Sequence, residues 1–172
     1  MATNEQSPAV FLDRDGTLMP DVDYCGRPEH VQVFPDAADA LRRLKHAGYK
    51  LIVITNQSGI GRGYFTEEAY REVERVFERQ LGPGLIDATY FCPDHPENAS
   101  DRRKPQPGMI FEADRDHQLD LARSYFIGDK PIDAECGRNA GTRTILLHAD
   151  GDADWKATSL TEAANIILAS GA

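Results

Sequence analysis

The sequence predicts an α/β fold, a doubly wound parallel sheet with helices on both of its faces. Short apolar runs alternate with longer segments whose apolar residues recur at helical spacing, as in right-handed β–α–β units. The runs are apolar throughout, which is typical of strands buried on both faces. With 172 residues, the chain is expected to form a single domain over residues 1–172.

Five strands and five helices are predicted in alternation. The apolar runs place the strands at 9–12, 51–54, 88–91, 124–127 and 143–147. Helical periodicity places the helices at 36–47, 66–81, 108–119, 132–140 and 159–168. Asp36 and Thr66 are expected to cap the first two helices. The connections are predicted as a flap over 18–35, with a short extended stretch at 31–34, and as loops at 59–63, 92–107 and 149–156.

The composition argues against several classes of partner. Nineteen basic and 28 acidic residues give a formal net charge of −9, which repels nucleic acid and anionic membrane surfaces. No apolar run approaches the roughly 20 residues that span a bilayer, and residues 1–7 lack the apolar core of a signal peptide. The three cysteines are far apart and form no disulfide framework. We therefore expect a cytoplasmic monomer that binds neither nucleic acid nor membranes.

Polar side chains follow the predicted strands at the points where those strands end. Asp13 and Asp15 follow the first strand, Thr55 follows the second, and Asp129 follows the fourth, while Lys104 precedes the third helix. The carboxyl ends of parallel strands meet at one edge of a sheet, so these groups are expected to converge. Carboxylates, a hydroxyl and a lysine can perform phosphoryl transfer with Mg²⁺, which prefers oxygen ligands. The alternative for the first strand is an ordinary Asp-Gly turn.

Four motifs of this chain resemble, in the same order along the sequence, those of the haloacid dehalogenase-like superfamily of phosphatases. They are Asp13-Arg14-Asp15-Gly16-Thr17, Thr55, Lys104 and Gly128-Asp129. The resemblance implies a Rossmann-like core and covers essentially the whole chain. The segments between the motifs are too short to hold a separate cap domain, so a capless, open site is expected.

The resemblance also implies roles for these residues. Asp13 would be the nucleophile that forms a phosphoaspartyl intermediate, and Asp15 the general acid and then the general base. Thr55 and Lys104 would hold the phosphoryl group. Mg²⁺ would be bound by Asp13, the backbone carbonyl of Asp15, and Asp129. Asp133 is expected to lie behind these ligands, or else to be only an acidic residue at the start of a helix.

The loops resemble those of one subfamily, the D-glycero-D-manno-heptose 1,7-bisphosphate 7-phosphatases. The similar segments are 55–66, 92–96, 103–109 and 128–130. The substrate would then be a small phosphorylated sugar that loses its 7-phosphate. Arg103 and Lys130 are the candidates for a second phosphate contact, although both could be ordinary solvated charges. The other expected substrate contacts are Asn56, Gln57, Ser58, Asp21 and Tyr24, with Arg62 left open.

The sequence departs from this subfamily at a zinc loop. Relatives carry Cys-x-His early in the loop and Cys-x-Cys just before Arg-Lys. Here Cys92 is present, but Asp94 stands where the histidine should be, and residues 97–102 contain no cysteine. Because structural zinc takes four nitrogen or sulfur ligands, we predict that zinc is absent.

Two other functions stay open on the sequence alone. Histidinol-phosphate phosphatases are similar in the same loops, so this phosphate ester or another small monoester could be the substrate. A non-catalytic module that binds a phosphorylated ligand is the second alternative, although the four intact motifs argue against it.

Overall fold

The computed structural model describes residues 5–171 and contains a six-stranded sheet in the order β3-β2-β1-β4-β5-β6. Every neighbouring pair of strands is parallel. The strands are β1 (Ala9–Leu12), β2 (Lys50–Asn56), β3 (Ala88–Cys92), β4 (Tyr125–Gly128), β5 (Arg143–Leu147) and β6 (Trp155–Ala157). The predicted doubly wound parallel sheet is therefore confirmed.

Six α-helices cover the two faces of this sheet within residues 5–171. They are α1 (Ala37–His46), α2 (Ser58–Gly61), α3 (Glu67–Leu81), α4 (Gly108–His117), α5 (Pro131–Ala140) and α6 (Leu160–Ser170). Alternate residues of β1 face opposite sides. Val10 and Leu12 pack with α1, α3 and α6, whereas Ala9 and Phe11 pack with α4 and α5. None of the described helices is both long and apolar enough to cross a bilayer.

The order of the strands identifies where a ligand can bind. The chain builds outward from β1 through β2 to β3, then returns to the other side of β1 to form β4. The crevice at the carboxyl ends of β1 and β4 is the point at which the direction of winding reverses. Such switch points are the usual ligand-binding sites of open α/β sheets. The motif residues follow these strands directly.

Two elements were wrong in the sequence prediction. The segment 149–156 was expected to be a loop, but Trp155–Ala157 forms an edge strand that pairs with β5. Three residues that alternate between half-buried, exposed and buried are too few for a periodic signal. Ser58–Gly61 forms one helical turn where a loop was expected. The sequence does not predict a helix there because two of these four residues are glycine, which disfavours helices.

Two details of the connections also differ from expectation. Residues 31–34 form no strand, and the Phe34 amide donates to Leu18 O instead. Asp36 makes no side-chain cap on α1, because its carboxylate accepts hydrogen bonds from the amide and hydroxyl of Thr161, both at 3.1 Å. The cap by Thr66 is confirmed, since its hydroxyl accepts from the Ala69 amide.

We expect Phe77→Ala to lower the free energy of unfolding by about 3–5 kcal/mol, because it empties a packed site between α3 and the sheet. Phe77 is only 1% exposed. Phe111→Ala is the matched control, since Phe111 on α4 is 48% exposed, and it should change stability by no more than about 0.5 kcal/mol. Equilibrium unfolding in urea measures both variants. Similar losses in the two would contradict the assignment of Phe77 to the core.

Candidate active site

The loop after β1 is a tight turn that begins at Asp13. The Asp13 amide donates to Ile127 O of β4 at 3.1 Å, which ties the tips of the two central strands together. The carbonyl oxygen of Arg14 accepts from the amides of Thr17 and Leu18, so the chain turns back at once. Gly16 has φ +89°, and a β-carbon there would overlap the Asp129 carboxylate. Glycine at this position therefore allows the two motifs to meet.

A buried cluster of charges lies at these strand tips. Lys104 Nζ donates to Asp13 Oδ1 at 2.8 Å and to Asp133 Oδ1 at 2.7 Å. The three side chains are 2%, 9% and 1% exposed, respectively. Carboxyl oxygens of Asp13, Asp129 and Asp133 all lie within 4.8 Å of one another. The predicted convergence of Asp13, Lys104 and Asp129 is present, and Asp133 joins them.

The electrostatics of the cluster follow from this packing. Burial alone would lower the pKa of Lys104, but the carboxylates of Asp13 and Asp133 outweigh it and raise that pKa. Burial raises the pKa of Asp13, opposed by Lys104 and reinforced by Asp133 and Asp129. Three carboxylates against one ammonium leave an excess of negative charge when all are ionised. A divalent cation would offset that excess.

The donor set fits Mg²⁺, which takes oxygen ligands. Asp133 uses both carboxyl oxygens elsewhere, since Oδ1 accepts from Lys104 and Oδ2 accepts from the Lys130 amide at 3.1 Å. Asp129 Oδ1 accepts from the Thr17 hydroxyl at 3.2 Å. Asp13 and Asp129 are therefore the carboxylates best placed to bind the ion, whereas Asp133 orients Lys104 and the start of α5.

Asp15 accepts hydrogen bonds from two side chains. Arg14 donates to both Asp15 oxygens through Nε and Nη2, at 3.1 to 3.3 Å. Gln57 Nε2 donates to Asp15 Oδ2 at 2.9 Å and to the hydroxyl of the fully buried Thr55 at 2.8 Å. Gln57 thus connects Asp15 with Thr55. The sequence marked Gln57 only as a substrate contact and gave Arg14 no role.

Asn56 fixes the backbone that carries Lys104. Its Oδ1 accepts from the Lys104 amide at 3.0 Å, and its Nδ2 donates to Lys104 O at 3.2 Å. The predicted role of Asn56 was contact with the substrate. The structure gives its amide group a second function, because it fastens a loop 48 residues away to the tip of β2.

An open cavity of about 240 Å³ extends outward from the cluster. At its far side Lys130 Nζ lies 3.1 Å from Asp21 Oδ2. Tyr24 has φ +62°, and its ring contacts the Tyr64 ring edge-on with centroids 4.9 Å apart. The predicted residues that line the cavity are Asp13, Asp15, Asp21, Tyr24, Asn56, Gln57, Ser58, Arg62, Arg103, Lys104 and Lys130.

Hydrogen bonds organise the loop from Cys92 to Lys104. Asp94 Oδ2 accepts from both the amide and the hydroxyl of Ser100, at 2.8 and 2.5 Å. Arg102 donates to Phe91 O at 2.8 Å and pairs with Glu112 of α4. Asp94 therefore closes the loop with protein donors at the position where relatives were expected to have a zinc ligand. The absence of zinc stays a prediction.

Comparison with known proteins gives several extended similarities. A model of the HAD-hydrolase-like family matches residues 101–168. The D-glycero-beta-D-manno-heptose-1,7-bisphosphate 7-phosphatase of Yersinia pestis is 38% identical over 94% of this chain and 96% of its own. The D-glycero-alpha-D-manno-heptose-1,7-bisphosphate 7-phosphatase of Burkholderia mallei is 41% identical over 88% and 85%. The crystal structure of D,D-heptose 1,7-bisphosphate phosphatase from B. bronchiseptica, complexed with magnesium and phosphate, has a TM-score of 0.86 at 27% identity, covering 95% of this chain and 99% of that chain.

Gly16→Ala is expected to abolish most Mg²⁺ binding, because the added methyl group would displace the Asp129 carboxylate. Gly84→Ala is the matched control, since Gly84 also has a positive φ (+78°) but has open space around it. Both should lose about 1–3 kcal/mol of stability through backbone strain. Isothermal titration with Mg²⁺ should show the loss of binding in Gly16→Ala alone. Unchanged binding in that variant would contradict the close approach of the two motifs.

Proposed function

Because this chain belongs to the D-glycero-D-manno-heptose-1,7-bisphosphate 7-phosphatase family of haloacid dehalogenase-like phosphatases, we propose that it removes the 7-phosphate of that sugar bisphosphate. Membership confirms the resemblance of its motifs. The observation that carries the proposal is the buried contact of Lys104 with Asp13 and Asp133 at the carboxyl ends of the strands. The names of the relatives include both anomers, so the proposal rests on the heptose 7-phosphate that the two share.

In the first step, an Asp13 carboxylate oxygen attacks phosphorus and forms a phosphoaspartyl ester. The bond between phosphorus and the heptose oxygen breaks, and protonated Asp15 gives its proton to that oxygen. Lys104 offsets the repulsion between the Asp13 carboxylate and the phosphate dianion, since its pKa keeps it protonated. Thr55 and nearby backbone amides hold the phosphoryl oxygens.

In the second step, the Asp15 carboxylate takes a proton from a water molecule, whose oxygen attacks the phosphorus of the ester. The bond between phosphorus and Asp13 breaks, which releases inorganic phosphate and regenerates the Asp13 carboxylate. Asp15 is protonated at the end of this step and is ready for the next substrate. The proton lost from water is thus the one delivered to the next leaving group.

Mg²⁺ would be held by Asp13, Asp129 and the backbone carbonyl of Asp15. When bound, it neutralises charge on the phosphoryl oxygens during transfer. Asp133 keeps Lys104 beside Asp13 and supports the start of α5 through the Lys130 amide.

The outer part of the cavity would bind the rest of the substrate. Arg103 and Lys130 are the cationic side chains proposed for the second phosphate. Within residues 5–171, the side chain of Arg103 makes one hydrogen bond, from its Nη1 to Asp94 O at 3.3 Å. Asp21, Tyr24 and Ser58 line the same cavity and are proposed to contact the sugar, as are the amides of Asn56 and Gln57. A cytoplasmic location and a monomeric state stay predictions.

Asp13→Asn is expected to abolish phosphate release from heptose 1,7-bisphosphate, because the amide cannot attack phosphorus. Asp101→Asn, an exposed acidic residue outside the cavity, should keep wild-type activity. Phosphate release with excess Mg²⁺ measures both variants. Activity retained by Asp13→Asn would refute the covalent mechanism. A wild type that prefers histidinol phosphate over the heptose bisphosphate would refute the proposed substrate.

Arg103→Ala should raise KM for the 1,7-bisphosphate by about tenfold or more, since a charge-assisted hydrogen bond contributes about 1.5–3 kcal/mol. The KM for heptose 7-phosphate should change much less, because this substrate lacks the second phosphate. Arg115→Ala is the control, since its side chain is 74% exposed on α4. Steady-state kinetics on both sugars tests the contact. Equal losses on the two substrates would remove Arg103 from the second phosphate site.

A further inference from the structure

We infer that Arg14 is a positioning residue that holds Asp15 in the orientation needed for proton transfer, an inference that rests on the proposed function. Arg14 stands between the two carboxylates of the first motif. Its side chain is 1% exposed and donates its hydrogen bonds to Asp15, so it would act on the reaction through Asp15.

The burial of Arg14 is unusual for its chemistry. Its side chain is 1% exposed, whereas arginine is rarely buried without a charged partner. The carboxylate that pairs with it is Asp15, whose side chain is 19% exposed and reaches the cavity. The guanidinium contacts both oxygens of this carboxylate. The buried charge is therefore paired with the carboxylate form of Asp15, the form that takes a proton from water in the proposed second step.

The guanidinium group is held in place from behind. Its Cζ lies 5.5 Å from the centre of the Tyr70 ring, which is fully buried on α3. Tyr70 in turn packs on Phe91 of β3, with centroids 4.5 Å apart. The face of the guanidinium therefore rests on an aromatic layer fixed by two elements of the fold.

Within the described residues, the side-chain hydrogen bonds of Arg14 all go to Asp15. Among residues 5–171, Nη1 is buried and finds no hydrogen-bond partner, while Nε and Nη2 both contact Asp15. A side chain that served only the stability of the loop would be expected to use all of its donors. Gln57, the residue after β2, also donates to Asp15 Oδ2, so two side chains fix the carboxylate.

A purely structural role for Arg14 is the competing explanation. Substrates with different leaving groups distinguish this role from the positioning of Asp15. An alkoxide or phenoxide needs a proton as it departs, whereas 4-nitrophenolate is a stable anion that leaves without one. The kcat/KM value reports steps up to the first irreversible one, the transfer to Asp13. Misplacing Asp15 should therefore reduce kcat/KM for poor leaving groups, whereas damage to the fold should reduce it for all of them.

The experiment compares Arg14→Lys with the wild type on heptose 1,7-bisphosphate, phenyl phosphate and 4-nitrophenyl phosphate. The two aryl esters match in shape and differ in leaving group. Lysine keeps the charge but cannot make the two-point contact. Asp15→Asn gives the reference pattern, and Arg75→Lys is the control, since the Arg75 side chain is 65% exposed on α3. Tyr70→Leu is the second variant if Arg14→Lys does not fold.

For Arg14→Lys we expect kcat/KM to fall about 10- to 100-fold on the heptose and phenyl esters, less than the ~10²–10⁴ of full general acid–base catalysis. The value for 4-nitrophenyl phosphate should change less than about threefold, with KM for the heptose nearly unchanged. Equal losses of kcat/KM on the two aryl esters would overturn this inference and leave the proposed substrate unaffected. A wild type that hydrolyses the aryl esters but not the heptose bisphosphate would overturn the proposed substrate and leave this comparison valid.

Discussion

The ammonium group of Lys104 between Asp13 and Asp133 is the interaction on which the site depends. The three groups come from a loop, from the turn after β1 and from α5, so their contact joins parts of the chain far apart in sequence. Removing one partner from such a buried pair typically costs about 3–5 kcal/mol, because a charge is left unpaired. The cluster therefore constrains every segment that supplies a member. It also leaves the negative excess that a divalent cation would balance.

Two glycines let the backbone come close enough for this arrangement. Gly16 and Gly128 both lie where a β-carbon would overlap a carboxylate of the cluster, that of Asp129 or Asp133. Asn56 supplies the third constraint, since its amide group holds the Lys104 backbone in both directions. These three residues thus allow the charged residues to meet.

The fold and the convergence of the motif side chains were largely predictable, whereas the supporting contacts were not. Apolar runs such as Val10–Leu12 and the polar residues that follow them give strands and strand tips directly. The edge strand Trp155–Ala157 was not predicted because three residues are too few to show a periodicity. The contacts of Arg14 and Gln57 were not predicted for a different reason. Their positions were known, but their partners depend on side-chain orientation across elements, which neither spacing nor composition encodes. Asp36 shows the same limit, because a residue typical of helix caps bonds Thr161 instead.

The loop from Cys92 to Lys104 carries a firmly held lysine next to a loosely held arginine. Lys104 is held by reciprocal backbone bonds and two ion pairs, and Arg102 anchors the loop to β3 and α4. Each hydrogen bond contributes only about 0.5–1.5 kcal/mol, so several together are needed to hold the loop. In the described part of the chain, the Arg103 side chain makes a single hydrogen bond, 3.3 Å long. Between two anchored neighbours, its side chain is therefore the one that can turn toward a ligand without disturbing the cluster beneath it.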